Sequence, residues 1–117
     1  MIALTPQMRV LLARDPVDFR RGTDGLARIC KGQLASDPFS GAVFAFRNRS
    51  YTAVKLLVYD GQGFWLCHKR LSTGRFQHWP KGSESASRLL AQEVQVLLSG
   101  GNPSSAQMAA PWRKITN

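Results

Sequence analysis

The sequence has 117 residues, 44% of them apolar and 20% charged, which is one domain's worth of ordinary globular chain and argues against wholesale disorder. No apolar run approaches the ~18 residues that span a bilayer, and two cysteines with two histidines are too few for a disulfide scaffold, a four-cysteine zinc site or a histidine-rich metal centre. Sixteen Lys+Arg against seven Asp+Glu leave a net charge of +9, and eleven of the sixteen are arginine, whose planar fork grips phosphate oxygens in pairs; the balance favours a polyanionic partner, nucleic acid first.

The start, Met1-Ile2-Ala3-Leu4-Thr5-Pro6, lacks the basic and long apolar regions of a signal peptide, so a cytoplasmic location is expected. Residues 7–14 read as a first strand, stopped by Asp15-Pro16 because proline cannot continue a ladder. After a loop to Gly22, Thr23 or Asp24 can cap a short helix to about Lys31 with Leu26, Ile29 and Cys30 on its buried side, and Gly32 stops it. Asp37-Pro38-Phe39-Ser40-Gly41 is a turn cluster.

Three strands follow, over 42–47, 53–59 and 64–70, with a tip at Asn48-Arg49-Ser50-Tyr51 and a tight turn at Asp60-Gly61-Gln62-Gly63. With Gly61-Gln62 as a two-residue loop, Val54, Leu56 and Val58 share a face with Trp65, Cys67 and Lys69. That face is the more uniformly apolar and is expected to pack on the helices. Ser72-Thr73-Gly74 turns into a short strand over 75–79, stopped by Pro80. Ser83 to Ser87 supply caps for an amphipathic helix over 86–99, on which Ala86, Leu90, Val94, Leu97 and Leu98 recur at helical spacing. The expected fold is α+β: a mostly antiparallel sheet of about five strands, one helix after the first strand and one C-terminal helix. Residues 1–100 form a single domain in this reading, and 101–117 read as a flexible tail.

Taken in order, Asp15-Pro16-Val17-Asp18-Phe19-Arg20-Arg21-Gly22, Asp37-Pro38-Phe39-Ser40-Gly41, Tyr59-Asp60-Gly61-Gln62-Gly63-Phe64 and Trp79-Pro80 give the chain a resemblance to the small accessory protein of insertion-sequence-66-type bacterial transposons (TnpB, or Orf2-like), encoded beside a separate, larger transposase. The resemblance starts at Arg9-Val10 and Leu12 and runs through Asp15-Pro16-Val17-Asp18-Phe19-Arg20-Arg21-Gly22-Thr23-Asp24-Gly25-Leu26. It continues through Asp37-Pro38-Phe39-Ser40-Gly41, Phe46-Arg47-Asn48-Arg49, Tyr59-Asp60-Gly61-Gln62-Gly63-Phe64, Lys69-Arg70-Leu71, Gly74-Arg75-Phe76 and Trp79-Pro80. Each piece alone is weak; their order and spacing together are specific. The resemblance implies a part in transposition and no defined reaction.

Asp15, Asp18 and Asp24 invite comparison with the metal-holding carboxylates of transposases. Asp24 suits a helix cap, however, and Asp18 can pair with Arg20 or Arg21, so no metal, cofactor or catalytic residue is assigned. Arg20 and Arg21 beside a helix N-terminus make a phosphate clamp; the alternative is internal pairing with Asp15 or Asp18. Arg47 and Arg49, with Tyr51, make a basic tip that can enter a groove or stack on a base. Lys69, Arg70 and Arg75 flank one turn, with Lys55, His68 and His78 near, as the densest positive region. The resulting expectation is a non-catalytic accessory factor that binds DNA through Arg20, Arg21, Arg47, Arg49, Lys69, Arg70 and Arg75. The rival is a protein-interaction module docking on the cognate transposase, with Trp79, Tyr59 or Phe76 as an exposed apolar patch. An exposed edge strand would permit a homodimer.

Overall fold

A computed structural model describes residues 8–99. The elements are β1 (Val10–Ala13), α1 (Thr23–Lys31), β2 (Val43–Arg47), β3 (Ala53–Tyr59), β4 (Phe64–Arg70), β5 (Ala86–Leu89) and α2 (Ala91–Leu98). The strands form one sheet in the order β4-β3-β2-β1-β5. All neighbours are antiparallel except β1 and β2, which run parallel with α1 as their crossover. The architecture is thus the expected α+β class. The tail expected at 101–117 lies outside the described residues.

The hairpin between β3 and β4 takes the register that a two-residue Gly61-Gln62 loop requires, with Tyr59 opposite Phe64 and Ala53 opposite Arg70. Asp60 fixes the turn: its Oδ1 accepts the Gln62 and Gly63 N–H groups, and Gly61 takes φ +97°, a conformation only glycine adopts freely.

β2 sits at the centre of the sheet and is buried along its whole length, so its sequence Val-Phe-Ala-Phe-Arg shows no apolar–polar alternation. Its two faces feed two cores. On one, Phe44, Phe46 and Leu57 meet Leu26, Ile29 and Cys30 of α1, whose 26/29/30 spacing puts them on a single stripe. On the other, Val43, Ala45, Val54 and Val58 meet Val94 and Leu97 of α2 together with Phe76 and Trp79. The helices therefore lie on opposite faces of the sheet, not together on the Val54/Trp65 face.

Three local expectations are corrected. Residues 75–79 are not a strand. They form an extended segment that crosses the face carrying α2, tethered by the Phe76 N–H to the Tyr51 carbonyl (2.8 Å), with Phe76 and Trp79 inserted as plugs. The fifth strand is instead Ala86–Leu89, pairing with the edge of β1, so tertiary pairing overrides the helical spacing that begins at Ala86. Helix α2 starts only at Ala91, where the Leu90 N–H donates to the Glu93 carboxylate at 2.8 Å, and Leu90 is exposed. Finally, Gly22, not Thr23 or Asp24, occupies the N-cap of α1, and Asp24 sits in its first turn, where its charge suits the positive helix end.

Candidate nucleic-acid interface

The parallel β1–β2 pair decides where the charged loops emerge. β1 and β2 both finish, and β3 and β5 both begin, at one end of the sheet; β4 finishes there too. Three connections gather at that end: residues 14–22, 48–52 and 71–85. They and the adjoining strand ends carry Arg14, Arg20, Arg21, Arg47, Arg49, Lys69, Arg70, Arg75 and Lys81. The other end carries Asp37 and Asp60 with the exposed aromatics Phe39 and Trp65.

Within the 14–22 loop two acids are committed locally. Asp15 pairs with Arg14 at 3.1 Å, and Arg14 also donates to the Ser83 carbonyl at 2.8 Å, tying this loop to the last connection. Asp18 accepts the Arg20 guanidinium at 2.7 Å and the Arg20 backbone N–H at 2.9 Å, which holds its carboxyl down at about 2. The Arg20 side chain nevertheless stays 91% exposed. Among the described residues, no three His, Cys, Asp or Glu side chains form a group able to hold a metal ion.

Arg21 is exposed and forms no ion pair with any described residue. Gly25, one turn into α1, leaves room for its stem: a Cβ there would stand 3.1 Å from the Arg21 Cβ. The Phe19–Arg21 backbone is pinned from below by Lys55, a surface cation in the sequence reading but here only 8% exposed. Its Nζ donates to the carbonyls of Phe19 (2.8 Å) and Arg21 (3.0 Å) and lies 5.0 Å from the Phe19 ring centre. His68, opposite Lys55 on β4, packs edge-on against Phe19. Burial, then the positive charges of Lys55 and Arg70, lower its pKa below the ordinary histidine value.

The 48–52 tip is organised by Asn48, a residue the sequence reading did not single out. Its Oδ1 accepts the Thr52 and Ala53 N–H groups, and its Nδ2 donates to the Thr52 hydroxyl. An asparagine opening a tight connection is the signal that marks it. Arg47 and Arg49 flank Asn48 and separate sharply. Arg47 is 8% exposed: Nε and Nη2 donate to the Arg14 carbonyl, Nη1 donates to the Asn48 carbonyl, and the guanidinium lies 4.0 Å from the Tyr51 ring centre. Tyr51 accepts φ +62° to reach it, a strained conformation for an aromatic residue. Arg49 is exposed, and with Asn48 and Ser50 it faces residues 16–19 across an open cleft of about 540 Å³.

Arg70 and Arg75 are exposed and form no ion pair with any described residue. Lys69 is exposed but donates to the Leu98 carbonyl at 2.8 Å, where a cation suits the negative end of α2. The seven arginine and lysine positions of the sequence reading thus share one end of the sheet. Arg21, Arg49, Arg70 and Arg75 are open there, Arg20 is open but paired, Lys69 caps a helix, and Arg47 is interior. Of the apolar patch expected at Trp79, Tyr59 or Phe76, two members are buried, and Tyr59 is half-buried, packed on the exposed Phe39 at the other end of the sheet. Trp79 is 3% exposed and donates to the Ala13 carbonyl at 2.8 Å, and Phe76 is 1% exposed.

Comparison with known proteins supplies the remaining constraint. No solved structure matches the chain. Two relatives come from Sinorhizobium fredii. The uncharacterized protein y4jC is 33% identical over 100 residues, covering 86% of this chain and 85% of its own. The uncharacterized protein y4hO is 36% identical over 100 residues, covering 86% of each. The family model described as "IS66 Orf2 like protein" matches residues 8–108, which takes in every strand and helix above. The chain belongs to the IS66 Orf2-like family, accessory proteins of transposition and not known enzymes.

Proposed function

We propose that the chain is a non-catalytic accessory factor that grips the DNA backbone with the loop end of its sheet. The supporting observation is topological. Segments far apart in sequence, at residues 20–21, 49, 70 and 75, emerge at one end of the sheet with cations that no described acid neutralises, apart from Arg20 with Asp18. Phosphate contacts carry position and affinity, and such a surface needs no base-reading element to bind duplex DNA. In this reading Arg21, Arg49, Arg70 and Arg75 make the contacts, Arg20 assists, and Arg47, Lys69, Lys55 and Asn48 hold the loops that present them. The first turn of α1, whose N-terminus opens at the same end, adds favourable potential for an anion.

The rival reading, docking on the transposase, loses Trp79 and Phe76, which are buried, and keeps only Tyr59, which is half-buried against the exposed Phe39 at the end of the sheet away from the cations. A gel-shift titration across salt tests the DNA reading, using transposon-end and unrelated duplexes. Four contacts at about −0.9 each give an expected log–log slope of roughly −3.6. Alanine at Arg49, Arg70 or Arg75 is expected to weaken binding on every duplex and lower that slope by about 1 each. Absence of binding, or binding indifferent to salt, refutes the proposal.

A further inference from the structure

One edge of the sheet has no strand partner among the described residues. β4 is an edge strand of seven residues, and most of it is exposed. The phase of its ladder follows from the bonds that bracket it. The Asp60 N–H donates to the Gly63 carbonyl, and the Leu71 N–H donates to the Thr52 carbonyl. Hydrogen-bonded pairs alternate in an antiparallel ladder, so Trp65, Cys67 and Lys69 spend their backbone groups on β3. Phe64, Leu66, His68 and Arg70 aim theirs outward. A bare row of this length is a template for another strand.

We propose that this edge is a self-association surface, on which a second copy of the chain pairs its own β4 antiparallel about a twofold axis at Cys67. The midpoint of Phe64–Arg70 is Cys67, so this register pairs the whole strand. Phe64 then faces Arg70 of the second copy, Leu66 faces its His68, and both are hydrogen-bonded pairs that use every outward N–H and C=O of Phe64, Leu66, His68 and Arg70. Cys67 falls in a non-bonded pair facing its own equivalent, where side chains approach most closely. On the same face as Cys67, Trp65 meets the Lys69 stem of the second copy, whose ammonium donates to the Leu98 carbonyl of its own chain. Trp65 is 51% exposed in the single chain, so this contact covers an otherwise wet indole. The charges complement as well: the basic end of each β4 lies along the aromatic end of the other, and like charges stay apart. Moving the register by two residues leaves outward groups of Phe64 or Arg70 unpaired, and moving it by one mismatches the hydrogen-bonding phase. The dimer is a ten-stranded sheet with the two cationic ends at opposite poles, and it stands whether or not those ends bind DNA.

The test uses the full chain. Sedimentation in reducing buffer is expected to show a concentration-dependent dimer. Mild oxidation with diamide is expected to link Cys67 to Cys67, identified by peptide mapping. Cys30 does not compete, being buried in the α1 core. Trp65→Lys sets lysine against Lys69 of the second copy; at least a tenfold loss of dimer affinity and of the cross-linking rate is expected, and the W65K/K69W swap is expected to restore both. A chain that sediments as a monomer at submillimolar concentration overturns the proposal, including the case in which residues 100–117 or a transposase strand occupies the edge. A dimer that survives Trp65→Lys, or cross-links equally well in that variant, overturns it too.

Discussion

Arg47 and Arg49 are two residues apart and chemically identical, yet their substitutions are expected to do opposite things. Consider Arg47→Met, which keeps most of the buried stem and removes the guanidinium. The Arg14 carbonyl loses both of its Arg47 donors, while the Asn48 carbonyl keeps the Tyr51 N–H at 3.3 Å. A buried acceptor left without a donor costs about 1–3 kcal/mol. Loss of the contact with Tyr51 adds about 0.5–2 kcal/mol, and relief of the buried cation's desolvation offsets part of the sum. A net loss of about 2–3 kcal/mol is expected, or roughly 10–20 °C in melting temperature for a domain of this size. Urea denaturation followed by tryptophan fluorescence measures it. DNA binding, assayed cold where the variant stays folded, is expected to fall far less than in Arg49→Ala, whose stability is unchanged. If Arg47→Met leaves stability within about 0.5 kcal/mol, the range of ordinary surface changes, and weakens DNA binding as Arg49→Ala does, the division of labour assigned to this tip is wrong.

Other consequences follow from the same geometry. Asp18 titrates at about 2 in the folded chain against an ordinary 3.8, so its pairing with Arg20 stabilises the fold above about pH 4 and is lost as pH falls towards 2. Asp18→Asn is expected to flatten that part of the acid-denaturation curve. The same substitution releases Arg20, so DNA affinity at neutral pH is expected to rise and its salt slope to steepen by up to about 0.9; weaker binding would show that the Asp18–Arg20 pair is itself part of the surface. Burial pushes the Cys30 thiol up to about 12, so a thiol reagent is expected to label Cys67 alone until the protein unfolds, as mass spectrometry can count. Trp79→Phe removes the donor to the Ala13 carbonyl while keeping an aromatic plug, with an expected loss of about 1–3 kcal/mol in urea denaturation.

Much of the fold could be read from local chemistry. The α1 stripe at 26/29/30 and the Gly61-Gln62 hairpin were legible because their signals, helical spacing and turn residues, are properties of a few consecutive side chains. The last third was not. Ala86, Leu90, Val94 and Leu97 keep helical spacing, yet the first of them lies in a strand because β1 offers it an unpaired edge. Phe76 and Trp79 lie in a run that reads as a short strand, but each is buried by a contact with residues far away in sequence. The candidate site divides in the same way. Which residues are cationic was plain. Which of them face solvent was not, because the burial of Arg47 and Lys55 depends on the carbonyls of Arg14, Phe19 and Arg21, loop atoms that carry no residue-type signal.

The gathering of charge at one end depends on a single topological choice. In a plain up-and-down sheet, β1 and β2 would be antiparallel and the 14–22 loop would leave at the end opposite the 48–52 tip. The α1 crossover makes them parallel, so the loop carrying Arg20 and Arg21 and the tip carrying Arg49 leave side by side, and Lys55 fastens the first to the sheet. The antiparallel return through β3 and β4 then delivers Arg70 and Arg75 to the same end. Net charge alone speaks of partners and not of shape. Here the strand order converts a diffuse excess of arginine into a surface with a direction, and the same order leaves β4 as the edge open to a second copy.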